Sequence, residues 1–175
     1  MKSNKIVRAA VILLILALNI GCDQLSKTVV RHNMGNFNRF EYLGGHFVFQ
    51  RVENTGAFLS LGDSLSGPVR YILLNILPLL AVLFGLYYIF TRTNLNRFTL
   101  VAIILIIGGG LGNLYDRIRF GSVTDFMHIK FGILETGIFN VADMSIMAGT
   151  IMIILHAWFK KKPEESEAKN VEETR

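Results

Sequence analysis

Four long runs of apolar residues are separated by polar segments along the chain. The runs lie at about residues 7–21, 69–90, 98–115 and 138–159. Because a bilayer core about 30 Å thick needs roughly 20 apolar residues of helix, we expect four transmembrane helices. They are expected to form a single membrane domain over residues 1–162. Residues 163–175 are rich in glutamate and lysine and lack apolar periodicity, so we expect a disordered cytoplasmic tail.

The polar loop between the first two runs covers about residues 23–68, longer than a simple connection, which indicates structure or function of its own. Within it, Phe47, Phe49 and Val52 alternate approximately with polar residues after the turn Gly44-Gly45, a pattern typical of a strand. The predicted fold class is therefore mainly α and integral to the membrane. A small extracytoplasmic β-sheet is expected to lie on the membrane surface.

The second and third runs contain residues that break or tighten helices. Pro78 predicts a kink, which membrane helices tolerate when neighbours satisfy the freed carbonyl. The glycines at 108–110 and 112 allow close helix approach, and Gly108 with Gly112 has G-x-x-x-G spacing. Helix packing is the preferred interpretation, because small residues are the usual interface of helices in lipid. A substrate groove that needs bare backbone is the alternative.

The composition supports an integral membrane protein, with 51% hydrophobic residues, 18% charged residues and a mean hydropathy of +0.44. The net charge of +5 is spread over loops and membrane flanks, with no basic run interleaved with aromatic residues. This distribution indicates contact with lipid headgroups and argues against a nucleic acid as partner. A single cysteine, Cys22, excludes an intramolecular disulfide and a cysteine cluster for metal.

Lysine and arginine, which favour the cytoplasmic side of a membrane, give the expected orientation. With both termini inside, the cytoplasmic set includes Lys2, Lys5, Arg8 and the run Lys160–Lys162. Several basic residues remain outside, but many of them lie in the long first loop, whose charges have little topological weight. We therefore expect both termini in the cytoplasm.

The first run also has features of a cleaved signal peptide, because basic residues precede an apolar core that reaches Cys22. A lipoprotein precursor has a similar pattern. However, Asn19-Ile20-Gly21 stands before Cys22 where a cleavage site favours small residues, and three further spanning runs follow. An uncleaved first helix is the preferred interpretation.

Polar residues gather where the apolar runs end, and all of them fall on one side of the membrane. In chain order they are Asp23 and Gln24 after the first run, Asn113, Asp116 and Arg117 after the third, and Asn140 and Asp143 entering the fourth. Asn54 and Asp125, in the two outside loops, can join them. Asn140 and Asp143 are three residues apart, so on a helix they lie about 60° apart around the axis and share a face.

Each acidic residue has a structural alternative to a catalytic role. Asp116 beside Arg117 is interpreted first as a surface ion pair or helix-end feature, because exposed pairs are common. Asp23 is either an anchor at the headgroup boundary or a group that contacts substrate. Asp143 lies about one turn inside an apolar helix, where an unpaired carboxyl either stays protonated or faces a wet cavity.

Carboxylate chemistry is favoured by elimination. The four histidines are scattered and there is no His-Glu-x-x-His, so a zinc peptidase lacks ligands, and neither metal nor cofactor is expected. Ser145 has no lysine near it in the same span to act as its base. Asp125 and Asp143 both lie beside apolar runs; two carboxyls held about 3 Å apart cannot both ionise, so one keeps a proton and the other activates water.

Five segments in order carry a resemblance to a known family. They are Asp23-Gln24 with Lys27, Asn54–Phe58, Gly112–Arg117, Val123–Phe126 and Phe139–Asp143. With these segments the chain resembles lipoprotein signal peptidase, also called signal peptidase II, from about residue 7 to residue 160. The resemblance implies a membrane aspartic endopeptidase with Asp125 and Asp143 as its catalytic pair.

The resemblance also implies a substrate and a set of supporting residues. The substrate is a prolipoprotein whose cysteine already carries diacylglycerol, and cleavage falls just before that cysteine. Asn54, Asn113, Arg117 and Asn140 match family positions that line the substrate site. Asp23 matches a position important for fold or function, and Gly56 and Asp116 are also expected to be structural or supporting residues.

Further partners and the location follow from the same resemblance. Cyclic peptide antibiotics such as globomycin are expected to bind, and membrane lipids are expected to surround the chain. The location implied is the bacterial cytoplasmic (inner) membrane, with the active site on its outer side. Apart from the resemblance, the length of the first loop and the flexibility points Gly44-Gly45 and Gly56 make this loop a candidate lid over the substrate.

Two other classes compete with a peptidase. A proton-coupled membrane transporter subunit also places carboxylates in a membrane, but transporters tend to have internal repeats and paired broken helices, which this sequence lacks. A scaffold without catalytic activity has no need for two aspartates beside spanning segments.

Overall fold

The computed structural model describes residues 2–35, 38–57 and 65–173, with side chains described from Lys5 to Lys160 within those ranges. The helices are α1 (Lys2–Asn33), α2 (Gly67–Thr91), α3 (Arg97–Phe120) and α4 (Val141–Glu173). The strands are β1 (Arg39–Tyr42), β2 (Phe47–Asn54), β3 (Val123–Phe131) and β4 (Leu134–Glu135).

Within the described residues, four helical segments are long and apolar enough to cross a membrane. They are Lys5–Asn33, Gly67–Thr91, Arg97–Phe120 and Val141–Lys160. The predicted class, mainly helical with four spans and a small sheet, is confirmed. Disorder of residues 163–175 stays a prediction, since no side chain after Lys160 is described and residues 174–175 lie outside the described ranges.

The helices extend beyond the apolar runs that predict them. Helix α1 continues to Asn33, so Asp23 lies inside the helix and not after it. Helix α3 likewise continues to Phe120 and carries Asn113 and Arg117 within it. The apolar pattern stops at the first charged residue, but a helix continues where charged side chains have buried partners. Gly121, with a φ of 77°, then ends α3 in the left-handed conformation.

Helix α2 is irregular at the position where Pro78 predicts a disturbance. Segments Gly67–Tyr71 and Leu77–Thr91 are α-helical, and the turn between them, Ile72–Ile76, is π-helical. Pro78 has no N–H for the carbonyl four residues before it, and the N–H of Leu77 bonds to the carbonyl of Ile72. The disturbance is therefore a π-helical turn just before the proline.

The four strands form one antiparallel sheet in the order β1-β2-β3-β4. Strand β2 is the one predicted from the alternation around Phe47 and Phe49. Strand β3 starts directly after α3 and pairs with β2, with Val52 opposite Asp125. The pairing is irregular between Phe49 and Val52. Asp125 therefore lies in a strand, not in a loop, beside the end of β2.

Helix α3 is the centre of the bundle, because it packs against α1, α2 and α4. Its glycines make these approaches. A Cβ on Gly108 would meet Asn19 of α1, and one on Gly109 would meet the carbonyl oxygen of Ala142 in α4. Packing therefore accounts for these two glycines, in agreement with the preferred interpretation; Gly110 lies close to Val82 of α2 and also lines a cavity.

Candidate active site

Asn140 joins the two predicted catalytic aspartates. It stands immediately before α4, and its side-chain Nδ2 donates to Asp125 Oδ1 at 2.6 Å. Its backbone N–H donates to Asp143 Oδ2 at 3.1 Å, and its Oδ1 accepts from the backbone N–H of Asp143 at 3.0 Å. This reciprocal pattern is that of a helix cap. The expectation that Asn140 and Asp143 share a face of one helix is wrong, because Asn140 precedes the helix and caps it.

Two further asparagines donate hydrogen bonds to the remaining oxygen of each carboxyl group. Asn54 Nδ2, at the end of β2, donates to Asp125 Oδ2 at 2.9 Å. Asn113 Nδ2, on α3, donates to Asp143 Oδ1 at 2.8 Å. The Oδ1 of Asn54 accepts from the N–H of Gly56 at 2.9 Å, which fixes the amide in this orientation. Every carboxyl oxygen of the pair thus has an N–H donor.

Arg117 approaches the pair from α3. Its Nη2 donates to the carbonyl of Gly56 at 2.9 Å, so it ties α3 to the turn that carries Asn54. Its positive charge acts on both Asp143 and Asp125. The predicted surface pair of Asp116 with Arg117 is wrong, because Asp116 is fully buried and pairs with basic residues of α1.

A buried cluster of charges lies directly behind the pair. Lys27 Nζ contacts Asp23 Oδ2 at 2.8 Å and Asp116 Oδ2 at 3.1 Å, and all three side chains are fully buried. Arg31 Nη2 contacts Asp116 Oδ1 at 2.8 Å. Asp23 Oδ1 also accepts from the backbone N–H of Ala142 at 2.9 Å. Two carboxylates and two cations cancel, which makes burial of the cluster tolerable.

The cluster gives Asp23 a structural role. Its side chain is fully buried, is not among those that line the cavity, and holds the start of α4 against α1. Arg31 was not singled out from the sequence, and Lys27 was noted only as part of a motif. Residues 23, 27 and 31 repeat every four positions and so lie on one helix face, the pattern that could have indicated the cluster.

A cavity of about 860 Å³ opens beside Asp143. Its polar wall includes Asn113, Arg117 and Asp143. The rest of its wall is largely apolar and comes from α2, α3, α4 and the β3–α4 region. Those residues include Leu73, Leu74, Pro78, Gly110, Phe139, Ile146 and Met147. Glu135 and Thr136 add polar groups to the wall, so the cavity can accept a group that is apolar along most of its surface and carries a few polar atoms.

Burial, the largest cause, and the negative charge of Asp143 together raise the pKa of Asp125 to about 6, against the lowering effect of the Asn54 and Asn140 hydrogen bonds. The side chain is 2% exposed. A carboxyl pKa that is higher in the folded state means that the folded state binds this proton more tightly than the unfolded chain. The pair can therefore keep one proton at pH values where an exposed carboxyl is ionised.

This shift predicts a pH dependence of stability. The stabilising contribution of protonated Asp125 is complete below the unfolded pKa of 3.8 and is lost as the pH rises through about 6. The expected loss is about 3 kcal/mol, from a shift of roughly two units. Asp125→Asn should flatten that part of the curve of unfolding temperature against pH in detergent. An unchanged slope between pH about 4 and about 6 would contradict the assignment to Asp125.

Among the described side chains, no group of three or more histidine, cysteine, aspartate or glutamate residues is placed to hold a metal ion. The fold and the site define a class of protein: a multi-pass membrane protein with a largely apolar cavity at one end of its helical bundle. Beside the cavity lie two carboxyl groups that accept hydrogen bonds from asparagine side chains. Its solved neighbours agree with this class.

Two of these neighbours are described as bacterial membrane enzyme structures determined by the in meso method. One matches with a TM-score of 0.77 and 28% identity, covering 87% of this chain and 90% of its own. The other has a TM-score of 0.72 and 28% identity, covering 85% and 92%.

The family follows from the sequence comparisons. The family model described as signal peptidase (SPase) II matches residues 14–159. A lipoprotein signal peptidase of Clostridioides difficile (strain 630) is 39% identical over 84% of this chain and 94% of its own. One of Streptococcus pyogenes serotype M2 (strain MGAS10270) is 29% identical over 82% and 90%. The chain belongs to the signal peptidase II family and is a membrane protease; nothing in these relatives favours a transporter.

Proposed function

We propose that this protease is an aspartic endopeptidase whose catalytic pair is Asp125 and Asp143. Its reaction is the removal of the signal peptide from prolipoproteins. The observation that carries the catalytic proposal is the bridge made by Asn140, which binds one carboxyl through its side chain and the other through its backbone. One short polar residue thus sets the relative position of the two acids next to the cavity.

The proposed mechanism uses one ionised and one protonated carboxyl. The ionised carboxylate takes a proton from a water molecule as that water attacks the scissile carbonyl carbon. The protonated carboxyl donates its proton to the carbonyl oxygen, which gives a tetrahedral diol. The diol collapses, the C–N bond breaks, and the leaving amine takes a proton from the pair. The raised pKa of Asp125, about 6, supports a pair that keeps one proton in mildly acidic solution, up to about pH 6.

The proposed substrate is a prolipoprotein with diacylglycerol on the cysteine that follows the cleaved bond. The apolar wall of the cavity fits residues of a signal peptide, and the acyl chains can stay in the bilayer, so binding energy remote from the bond helps to place it. Asn113 and Arg117 are proposed to contact the peptide backbone at the polar wall. Asn54 and Asn140 are proposed to act at the same site while holding Asp125.

The proposed location is the bacterial inner membrane, with both termini in the cytoplasm and the active site on the outer side. The basic flanks near Lys5 and Lys160 support this orientation. Membrane lipids and globomycin-like cyclic peptides are the other proposed partners. A lid formed by the first loop stays a prediction, since part of it, residues 58–64, lies outside the described residues.

The experiment that tests the proposed substrate compares two forms of one prolipoprotein, with and without diacylglycerol on the cysteine. Purified protein in detergent is expected to cut the modified form at least about 100-fold faster, because the acyl chains contribute binding energy to placement. Mass spectrometry should locate the cut immediately before the modified cysteine. Equal rates on both forms, or a cut elsewhere, would reject this substrate. A globomycin-like peptide should inhibit the reaction competitively.

A further inference from the structure

Lys27 is buried completely and reaches the catalytic pair through one side chain. An ammonium group has three N–H donors and no acceptor. Two of the contacts of Lys27 Nζ are to the carboxylates of Asp23 and Asp116. The third is to Asn113 Oδ1, at 3.0 Å. Arg31 also pairs with Asp116, so two cations neutralise the two carboxylates of the cluster. The contact of Lys27 with Asn113 is not needed for that neutralisation.

The contact with Lys27 fixes which way the amide of Asn113 points. A donor-only group must face the amide oxygen, so the amide nitrogen must face away from it. The oxygen accepts a second bond, from Asn140 Nδ2, at 3.2 Å. The nitrogen then donates to Asp143 Oδ1 at 2.8 Å. A reversed amide would place N–H groups against the ammonium and turn an acceptor toward the carboxylate.

The two carboxyls of the pair differ in what holds them. Asp143 accepts from Asn113 and from the backbone N–H of Asn140, and it lies in the first turn of α4, where the helix dipole favours negative charge. Asp125 lies in β3 and accepts two side-chain amides, without a helix end behind it. Burial holds its proton, with a pKa of about 6.

The charged groups that form and surround the pair come from four elements. Lys27 approaches from α1, Arg117 and Asp116 from α3, and the two aspartates lie on β3 and α4. Arg117 acts on both acids. Through space the charge of Lys27 lowers the pKa of Asp125, but burial outweighs this effect, and the hydrogen bonds of Lys27 through Asn113 end on Asp143.

We propose that Lys27 is a positioning residue that, by orienting the amide of Asn113, makes Asp143 the ionised base of the pair and leaves Asp125 as the proton donor. This inference rests on the proposed function and adds the division of roles between the two acids. Lys27 touches neither water nor substrate in this scheme. Its effect on the reaction passes through one amide group.

The test needs a variant without Lys27 in which the buried charges still balance. Asp23→Asn combined with Lys27→Met leaves Asp116 paired with Arg31. The matched control is Asp23→Asn alone, which keeps the ammonium and its bond to Asn113. We expect the double variant to have a kcat at least about tenfold below the control, with KM changed by less than about threefold.

The pH profile separates positioning from a loss of structure. Without Lys27 the pair loses a nearby positive charge, and the Asn113 amide loses the contact that turns its nitrogen toward Asp143. The acidic limb of the plot of kcat/KM against pH should therefore move to higher pH, by about one pH unit relative to the control. Lys27→Gln in the same background keeps a neutral donor toward Asn113 and should recover part of the shift. A folded double variant whose acidic limb coincides with that of Asp23→Asn would overturn the proposal.

A second measurement leaves Lys27 in place. Infrared spectra of folded Asp125→Asn and Asp143→Asn at mildly acidic pH report the protonated carboxyl of the pair. The band should disappear in Asp125→Asn and persist in Asp143→Asn; the reverse result would overturn the proposal even if the Lys27 variants do not fold. If both aspartate variants still cleave prolipoprotein, the proposed function fails instead. If both aspartate variants are inactive but the acidic limb of the Lys27 double variant coincides with that of its control, only the proposed role of Lys27 fails.

Discussion

Asp143→Asn and Asp125→Asn should each lower kcat/KM at least about a thousandfold while the protein stays folded. An amide cannot take a proton from water at Asp143, and at Asp125 it has no acidic proton for the carbonyl oxygen. The change in shape is minimal. At each position one of the two N–H donors that now face the carboxyl would meet an amide NH2 group, which costs roughly one hydrogen bond, about 1 kcal/mol.

The measurement is cleavage of diacylglyceryl-modified prolipoprotein together with thermal unfolding in the same detergent. Glu53→Gln is the matched control, because it makes the same carboxylate-to-amide change on the neighbouring strand β2. Glu53 accepts a hydrogen bond at 3.1 Å from the Oγ1 of Thr124, the residue just before Asp125. The control should keep activity within about threefold, because Glu53 also has Arg51 and Ser122 as partners and lies partly exposed.

A variant that lacks both aspartates adds a sharper criterion. Groups that act as one unit lose nearly everything with the first substitution, so the double variant should be about as inactive as either single one. Independent losses that multiply would indicate two separate roles and not a shared proton. Substantial cleavage by folded Asp125→Asn or Asp143→Asn would assign the aspartates to structure alone.

The helices could be predicted from the sequence because membrane spans have a strong signal in composition and length. Their ends could not, because charged residues such as Asp23 and Lys27 neutralise one another inside the bundle. Partners that are distant in sequence decide where such a helix ends. Asp116 shows the same effect: its neighbour in sequence is Arg117, but its partners are on α1.

Strand β3 was not predicted, and the reason is its burial. Its first residues, Val123, Thr124, Asp125 and Phe126, are all buried and do not alternate between polar and apolar, and the alternation that indicates a strand begins only at Met127. Polar residues are tolerated there because side chains from other elements bind them. Thr124 Oγ1 accepts from Arg31 Nε at 2.8 Å, for example.

More of the candidate site could be predicted from the sequence than of strand β3, which carries Asp125. Polar residues at the ends of apolar runs indicated Asn113, Asn140 and Asp143, and these three are hydrogen-bonded to one another. The spacing could not predict that Asn140 binds both aspartates. The cap formed by Asn140 depends on where α4 begins, and helix starts are the least certain feature of an apolar pattern.

Gly109→Ala is expected to have the second-largest effect, on stability and activity together. A Cβ at this position would meet the backbone carbonyl oxygen of Ala142, which cannot move aside as a flexible side chain can, and would also come within 2.8 Å of Ile146 Cγ1. Helices α3 and α4 would have to separate. We expect a loss of more than about 2 kcal/mol in unfolding free energy, because overpacking a tight helix contact forces a backbone shift.

The activity should fall further than the stability, because the displaced segment carries the site. Ala142 lies between Asn140 and Asp143, and its N–H bonds to Asp23, so a shift of this turn moves one acid relative to the other. Gly21→Ala is the control, since a Cβ there has nothing within 4 Å. Well below the unfolding temperature, Gly109→Ala should cleave prolipoprotein at least about 100-fold more slowly than Gly21→Ala, since misplacement by about 1 Å is enough for such a loss. Normal cleavage by a folded Gly109→Ala protein would mean that the contact of α3 with Ala142 does not set the geometry of the catalytic pair.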